Sequence, residues 1–237
     1  MKTFQPCSYF QSKEHLLSLI DNTQLNPLLT IDEAEDFVIR TFEEGFHCAM
    51  LPPHHTAILA DKDYGRHGRL CTVYCFPHPY YTTEACVRGL KLLLKNRIHE
   101  VDIVAPLHLV KSGEWNLVED HLQSIIDVIH DAGAEGKLIV EAAVLDDGEL
   151  EALIEKAAKV GFDWVKTSTG VIAKGGDPYT VHRVYTIARE YKLPVKAAGG
   201  IRTLHDAAVA VGAGARRLGT SSGFRIAEQY DRHCGLG

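Results

Sequence analysis

The chain alternates short apolar runs with amphipathic stretches along almost its whole length. Eight runs have strand character: 16–21, 47–51, 70–76, 100–105, 137–142, 163–167, 194–198 and 216–219. Several are nearly continuous in apolar residues, as parallel strands covered on both faces are. Between them, apolar positions recur at helical spacing. Over 31–44, Ala34, Phe37, Val38, Thr41 and Phe42 share one face, and Gly45 follows as a stop. Over 147–160, Leu150, Leu153, Ile154, Ala157 and Ala158 do the same, with Asp146 and Glu149 as a capping pair and Gly161 as the end. The stretches 82–97 and 114–132 also read as helices. Pro178 after Asp177 marks a capped helix start. Leu204, Ala207, Ala208 and Val211 line a small helix that ends near 212–214. Eight strand–helix units in 237 residues predict an α/β fold of the (β/α)8 TIM-barrel class. An open doubly wound sheet is the alternative that pattern alone leaves standing. No Gly/Pro/Ser-rich linker interrupts the chain. A single domain over 1–237 is therefore expected, with 1–15 as a short N-terminal extension over one barrel end.

Composition narrows the partners. Hydrophobic residues make up 46% and charged residues 24%, ordinary for a globular chain. The net charge of −6 comes without a basic block, which argues against nucleic acid. There is no apolar run of about 18 residues and no secretory pattern, so neither membrane nor export is expected. The six cysteines, at 7, 48, 71, 75, 86 and 234, include no Cys-x-x-Cys pair. Reduced thiols and a cytoplasmic location are the reading. Thirteen histidines include neither a His-Glu-x-x-His nor a zinc-like spacing, so no metal is expected.

Two lysines break the apolar runs. Lys166 lies in Asp163-Trp-Val-Lys-Thr-Ser-Thr-Gly170 and Lys196 in Leu193-Pro-Val-Lys-Ala-Ala-Gly-Gly200. Burying an ammonium is costly, and lysines avoid such positions. Two of them on consecutive strands, about 5 Å apart in a sheet, repel each other, and one loses its proton more easily. A neutral amine of that kind attacks carbonyls, so the pair points to Schiff-base chemistry. Asp102, in Glu100-Val-Asp-Ile-Val104, is a mid-strand carboxylate that needs such a partner. It suits a general acid/base, or else a structural ion pair. Asp21 ends the first strand, where it either orients the pocket or caps a turn.

Three turns follow strands six, seven and eight: Ser168-Thr-Gly170, Gly199-Gly200-Ile-Arg202 and Gly219-Thr-Ser-Ser-Gly223. Glycine-freed N–H groups and a helix start after Ser221-Ser222 make a phosphate cradle, at the position this fold commonly uses. His78 and His108 read as loop residues, and Tyr80-Tyr81 as a pocket wall or a packing pair.

These segments resemble the 2-deoxyribose-5-phosphate aldolase family. The resemblance is carried by Val165-Lys-Thr-Ser-Thr-Gly170, Val195-Lys-Ala-Ala-Gly-Gly-Ile-Arg-Thr203 and Gly219-Thr-Ser-Ser-Gly223, and more loosely by Asp21-x-Thr-x-Leu25, Phe76-Pro77, Glu100-Val-Asp-Ile-Val104 and Lys111-Ser-Gly113. It spans essentially the whole chain, in order. It implies a cofactor-free class I aldolase that reversibly cleaves 2-deoxy-D-ribose 5-phosphate to D-glyceraldehyde 3-phosphate and acetaldehyde. On that footing Lys166 forms the Schiff base, Lys196 lowers its pKa, and Asp102 with a water moves protons. Substrate contacts would come from Asp21, Thr23, Thr167, Gly170, Gly199, Gly200, Ser221 and Ser222. A homodimer, and a role in deoxynucleoside breakdown, are further implications. Met50, Pro52 and Pro79 depart from common family forms, and the C-terminal segment 231–237 carries no tyrosine, Tyr230 being the nearest. Action on another phosphosugar, or phosphosugar binding without catalysis, are the competing readings.

Overall fold

Eight parallel strands close on themselves in sequence order in the computed structural model, which describes residues 4–62, 64 and 68–235. The first three residues of the 1–15 segment and the last two of the C-terminal tail lie outside that description. The strands are β1 (Ile20–Thr23), β2 (Cys48–Leu51), β3 (Leu70–Tyr74), β4 (Glu100–Val104), β5 (Glu135–Ile139), β6 (Trp164–Lys166), β7 (Val195–Ala198) and β8 (Arg217–Thr220). The helices are α1 (Lys13–Ser18), α2 (Ile31–Glu43), α3 (Pro53–Leu59), α4 (Thr83–Leu93), α5 (Leu107–Lys111), α6 (Trp115–Asp131), α7 (Asp147–Val160), α8 (Pro178–Ala188), α9 (Leu204–Gly212) and α10 (Gly223–Cys234). β1 pairs with β8, so the closed barrel holds and the open-sheet alternative falls.

Local chemistry accounts for most boundaries. Thr30 and Glu33 form a reciprocal capping box on α2, and Asp146 with Glu149 does so on α7. Gly161 ends α7 in the left-handed region. The first strand is the exception. The run 16–21 begins as the end of α1, and β1 starts only at Ile20. Ser12 accepts the His15 N–H, which starts a helical turn whose face buries Leu16 and Leu17. A short apolar run fits either period, and here the cap decides.

The barrel has two interiors. Between strands and helices lies an apolar layer in which Val101, Ile103, Leu138 and Val165 pack under Leu122, Ile125, Ile126 and Ile129 of α6 and Leu153 and Ile154 of α7. Each such side chain contributes about 1.5–3 kcal/mol when fully buried, so this layer stabilises the fold. Inside the barrel, β2 and β3 present Cys48, Met50, Cys71 and Val73, whereas β4 to β8 and β1 present ionisable groups.

Two cysteines contradict the reduced-thiol reading. Cys7 and Cys234 form a disulfide across 227 positions of sequence. No spacing rule reveals such a pair. It forms because the 3-10 turn Pro6–Tyr9 packs on α9 while α1 packs on α10, which carries Cys234. A crosslink closing so long a loop removes entropy from the unfolded chain equivalent to about 5 kcal/mol. Reduction, or Cys234→Ser, is expected to lower the melting temperature by roughly 10–20 °C, read by calorimetry with and without a thiol reductant.

Candidate active site

The site grows from strand register. Lys166 of β6 and Lys196 of β7 are direct partners in the sheet. Asp102 of β4 is the partner of Lys137 on β5. Side chains alternate along a strand, so Glu100 and Asp102 both point into the barrel, one layer apart. Arg217 of β8 pairs in register with Lys196, and Asp21 of β1 with Gly219. Five strands and β1 thus aim seven ionisable groups at one axis.

Contacts among them are short. Asp102 Oδ2 accepts from Lys166 Nζ at 2.8 Å and from Lys196 Nζ at 2.7 Å. Lys196 Nζ lies 2.5 Å from Asp21 Oδ2, and Arg217 donates to Asp21 Oδ1 at 3.0 Å. Lys137 is paired with Glu100 and stands 3.6 Å from Asp102 Oδ1 and 3.8 Å from Asp21 Oδ2. Glu100 also contacts His47 Nε2 at 2.7 Å and Arg69 at 3.0 Å near the barrel floor. Gly219 makes room for this cluster, because a Cβ there would sit 3.0 Å from Cε of Lys196.

Three carboxylates (Asp21, Glu100, Asp102) therefore face four basic groups (Lys137, Lys166, Lys196, Arg217) in a dry interior. Basic groups outnumber the carboxylates, and of the three lysines only Lys166 has its pKa lowered. Burial pushes Lys166 below the ordinary lysine range, and like-charge repulsion from Lys196 adds to it against the pull of Asp102 and, more weakly, Asp21. Burial also disfavours charge on Lys196, but Asp102 and Asp21 together raise it above that range. Lys137 is raised further, by Asp21, Asp102 and Glu100 acting against burial. Burial would push Asp102 up, yet the ammonium charges of Lys166, Lys196 and Lys137 hold it down at about 2. The amine with the depressed pKa is also the best exposed of the three lysines, at 5% against 1% for Lys196 and 0% for Lys137.

Lys166 opens on a cavity of about 380 Å³. Its far wall is made by Gly170, Gly199, Gly200, Ile201, Arg202 and Ser221. Gly170 and Gly199 both have positive φ, 75° and 89°, and a Cβ on Gly170 would come within 3.1 Å of the Gly199 Cα. Their backbones thus approach as only glycines can. Among the described residues, no protein acceptor meets the N–H groups of Gly170, Gly200 or Ser221, which fits an anion site. Arg202 adds a positive charge at the same wall.

Of the residues read from sequence as substrate contacts, Thr23, Gly170, Gly199, Gly200 and Ser221 line the cavity. Three do not. Asp21 is buried beneath it, bound to Lys196 and Arg217, so it sets charge rather than touching ligand. Thr167 is buried and clamps β6 to β7, its Oγ1 accepting from Ala198 N at 3.1 Å. Ser222 lies one residue past the wall, at the N-cap of α10. Lys196 and Asp102 lie under Lys166, off the cavity wall. His78 stacks on Tyr80, with ring centroids 4.9 Å apart, in a separate recess shared with His108 and Tyr81.

Sequence reasoning missed Lys137, Glu100 and Arg217 in the cluster, and Arg202 and Thr169 on the wall. Lys137 carries the same signal as the other two lysines, an ammonium inside an apolar strand. Replacing it by Met leaves Glu100 short of its nearest cation, and breaking a buried pair in this way costs about 3–5 kcal/mol. Urea unfolding of Lys137→Met is expected to show a loss of that size. Ligand-type groups also meet at the floor, as Cys48–Cys71–Glu100 and Asp21–His47–Glu100. Their shared Glu100 already binds Lys137, His47 and Arg69, so a metal ion would have to displace an ammonium.

No protein-family model matches the chain. Among curated proteins, a deoxyribose-phosphate aldolase from Aeropyrum pernix is 36% identical over 219 residues, 92% of this chain and 92% of its own length. One from Aquifex aeolicus is 33% identical, covering 89% of this chain and 94% of its own. Among solved structures, a tetrameric deoxyribose phosphate aldolase from Aeropyrum pernix superposes with a TM-score of 0.89 at 36% identity, over 95% of both chains. With identity above 30% over about nine tenths of both chains, the chain belongs to the deoxyribose-phosphate aldolase family.

Proposed function

We propose that this chain cleaves 2-deoxy-D-ribose 5-phosphate reversibly to D-glyceraldehyde 3-phosphate and acetaldehyde through a Schiff base on Lys166. The observation that carries the reading is the position of Lys166, the one lysine of the cluster that lines the cavity, 2.8 Å from Asp102 and paired in the sheet with Lys196. A neutral Lys166 adds to the C1 aldehyde of the open-chain sugar, and loss of water leaves an iminium. The iminium draws electrons from the C2–C3 bond once the C3 hydroxyl gives up its proton. That bond breaks, releasing D-glyceraldehyde 3-phosphate and leaving the two-carbon enamine on the lysine. Protonation at C2 and hydrolysis free acetaldehyde.

Asp102, held between Lys166 and Lys196, is the proton carrier in this scheme. Its Oδ1 has no hydrogen-bond partner among the described residues. Lys196 holds the positive charge that keeps Lys166 neutral. Gly170, Gly199, Gly200 and Ser221 grip the phosphate through backbone N–H groups, with Ser222 at the helix start and Arg202 as counter-charge. These residues form one catalytic unit over 1–237, which needs no organic cofactor for the chemistry. Self-association, at least to a homodimer, and a cytoplasmic location belong to the same proposal. The first is supported by the tetrameric relative, and sedimentation reads it. The second is supported by the charge that keeps a sugar phosphate inside a membrane. No helix among the described residues is long and apolar enough to cross one.

Borohydride reduction in the presence of 2-deoxyribose 5-phosphate, followed by peptide mapping, tests the scheme. The expected product is a reduced adduct on the peptide that contains Lys166. An adduct on Lys196 would reverse the roles of the two lysines. No adduct on folded protein that binds the sugar phosphate would favour a binding protein.

A further inference from the structure

Two thiols outside the lysine cluster are placed for chemistry of their own. Cys75 follows β3, and Cys86 sits in the first turn of α4. Both are buried, and their Sγ atoms are 2.6 Å apart. That separation is nearer to the about 2.05 Å of a covalent disulfide than to ordinary packing of two sulfur atoms. The hydrogen bond shared with Cys75, in which either thiol can donate, lowers the Cys86 thiol against burial. The same bond, with burial, raises Cys75. The first turn of a helix also favours a thiolate. Cys86, near the start of the helix, is the thiol placed to react first, with Cys75 as its partner.

The pair adjoins the active site through one peptide bond. Phe76 follows Cys75, and its ring centroid lies 5.7 Å from Lys166 Nζ. Cys75 itself has a φ of 48°, a backbone setting that few non-glycine residues adopt and that the surrounding fold must hold.

We propose that Cys75 and Cys86 are an oxidation site, in which a hydroperoxide converts the two thiols to a disulfide that shifts the Phe76 ring beside the nucleophile. The Cys86 thiolate attacks a peroxide oxygen, the O–O bond breaks, and a sulfenic acid forms while water or an alcohol leaves. Cys75 sulfur then attacks the sulfenic sulfur, and its proton departs with the hydroxyl as water. Two electrons pass from the sulfurs to the peroxide, and a thiol reductant reverses the change. Closing the gap draws the end of β3 towards α4. A displacement of that scale in a ring beside the Lys166 amine lowers turnover on the order of tenfold. This effect on turnover rests on Lys166 as the nucleophile.

The test uses the whole protein treated with hydrogen peroxide, then non-reducing peptide mapping beside an aldolase assay. A Cys75–Cys86 crosslink lighter by two hydrogens is expected, with slowed turnover that a thiol reductant restores. Cys86→Ala should keep the untreated activity and lose both the crosslink and the peroxide sensitivity. Cys86→Ser serves if the alanine variant fails to fold by circular dichroism. Free, alkylatable Cys75 and Cys86 after treatment, or a link confined to Cys48 and Cys71, overturns the site. A complete crosslink with unaltered turnover overturns its connection to Phe76. The peptide map stands apart from catalysis, so a failure of the Schiff-base reading is told apart from a failure of this one.

Discussion

Lys166→Met is expected to lower kcat for 2-deoxyribose 5-phosphate by at least about 10⁴-fold while leaving the fold intact. No other amine can take its place. Lys196 and Lys137 lie deeper and are held charged by two and three carboxylates respectively. Removing Lys166 also takes away the lysine whose charge burial disfavours most effectively, so stability should change little or rise. The measurement is steady-state turnover beside urea unfolding of the same preparation. The activity of the unmodified enzyme carries a matching signature. Because Lys166 is lowered by burial and by Lys196, kcat/KM should rise with pH through a pKa below the ordinary lysine value of 10.5. Turnover that survives in Lys166→Met would refute the nucleophile outright.

Asp102→Asn is expected to cost about 10²–10⁴-fold in kcat, the range for loss of a positioned acid/base. The amide keeps the shape but cannot take a proton. Lys166 becomes still easier to deprotonate once its only close anion has gone, so a borohydride adduct should still form on it. That split, trapping retained and cleavage lost, separates a proton carrier from a nucleophile. Asp102 also ties the protein's stability to acid. Its folded pKa of about 2 lies below the ordinary 3.8, so its contribution is complete above about pH 4 and drains away as the pH falls towards 2. Asp102→Asn should be less stable at neutral pH and show a shallower loss through that window. Equal acid sensitivity in the two proteins would place the stabilisation elsewhere.

Much of this was legible before any coordinates, for a physical reason. An ammonium in an apolar strand is so unfavourable that Lys166 and Lys196 announce themselves, and the glycine turns after strands six to eight mark the wall of the cavity. What the sequence hides depends on register and closure. The expected fifth strand opens at Lys137. The strand in fact runs Glu135–Ile139, so Lys137 stands in its middle and points inward. Glu100 and Arg217 open β4 and β8, and only closure of the barrel turns them towards its axis. Asp21 was read at the pocket because its strand was set too early. With β1 starting at Ile20, Thr23 reaches the wall and Asp21 falls a layer below. The helix over Lys13–Ser18 was lost to a run of apolar residues too short to show its period.

The bond between Cys7 and Cys234 gives the molecule a property that the barrel alone lacks. Backbone and crosslink together make the covalent framework a ring that spans almost every residue. A single cut by a protease in any loop between the two cysteines opens that ring but releases no piece. The severed ends stay tethered within one molecule and can refit as a unimolecular event. A nicked protein would thus keep its mass on a non-reducing gel and fall into fragments only when a reductant is added.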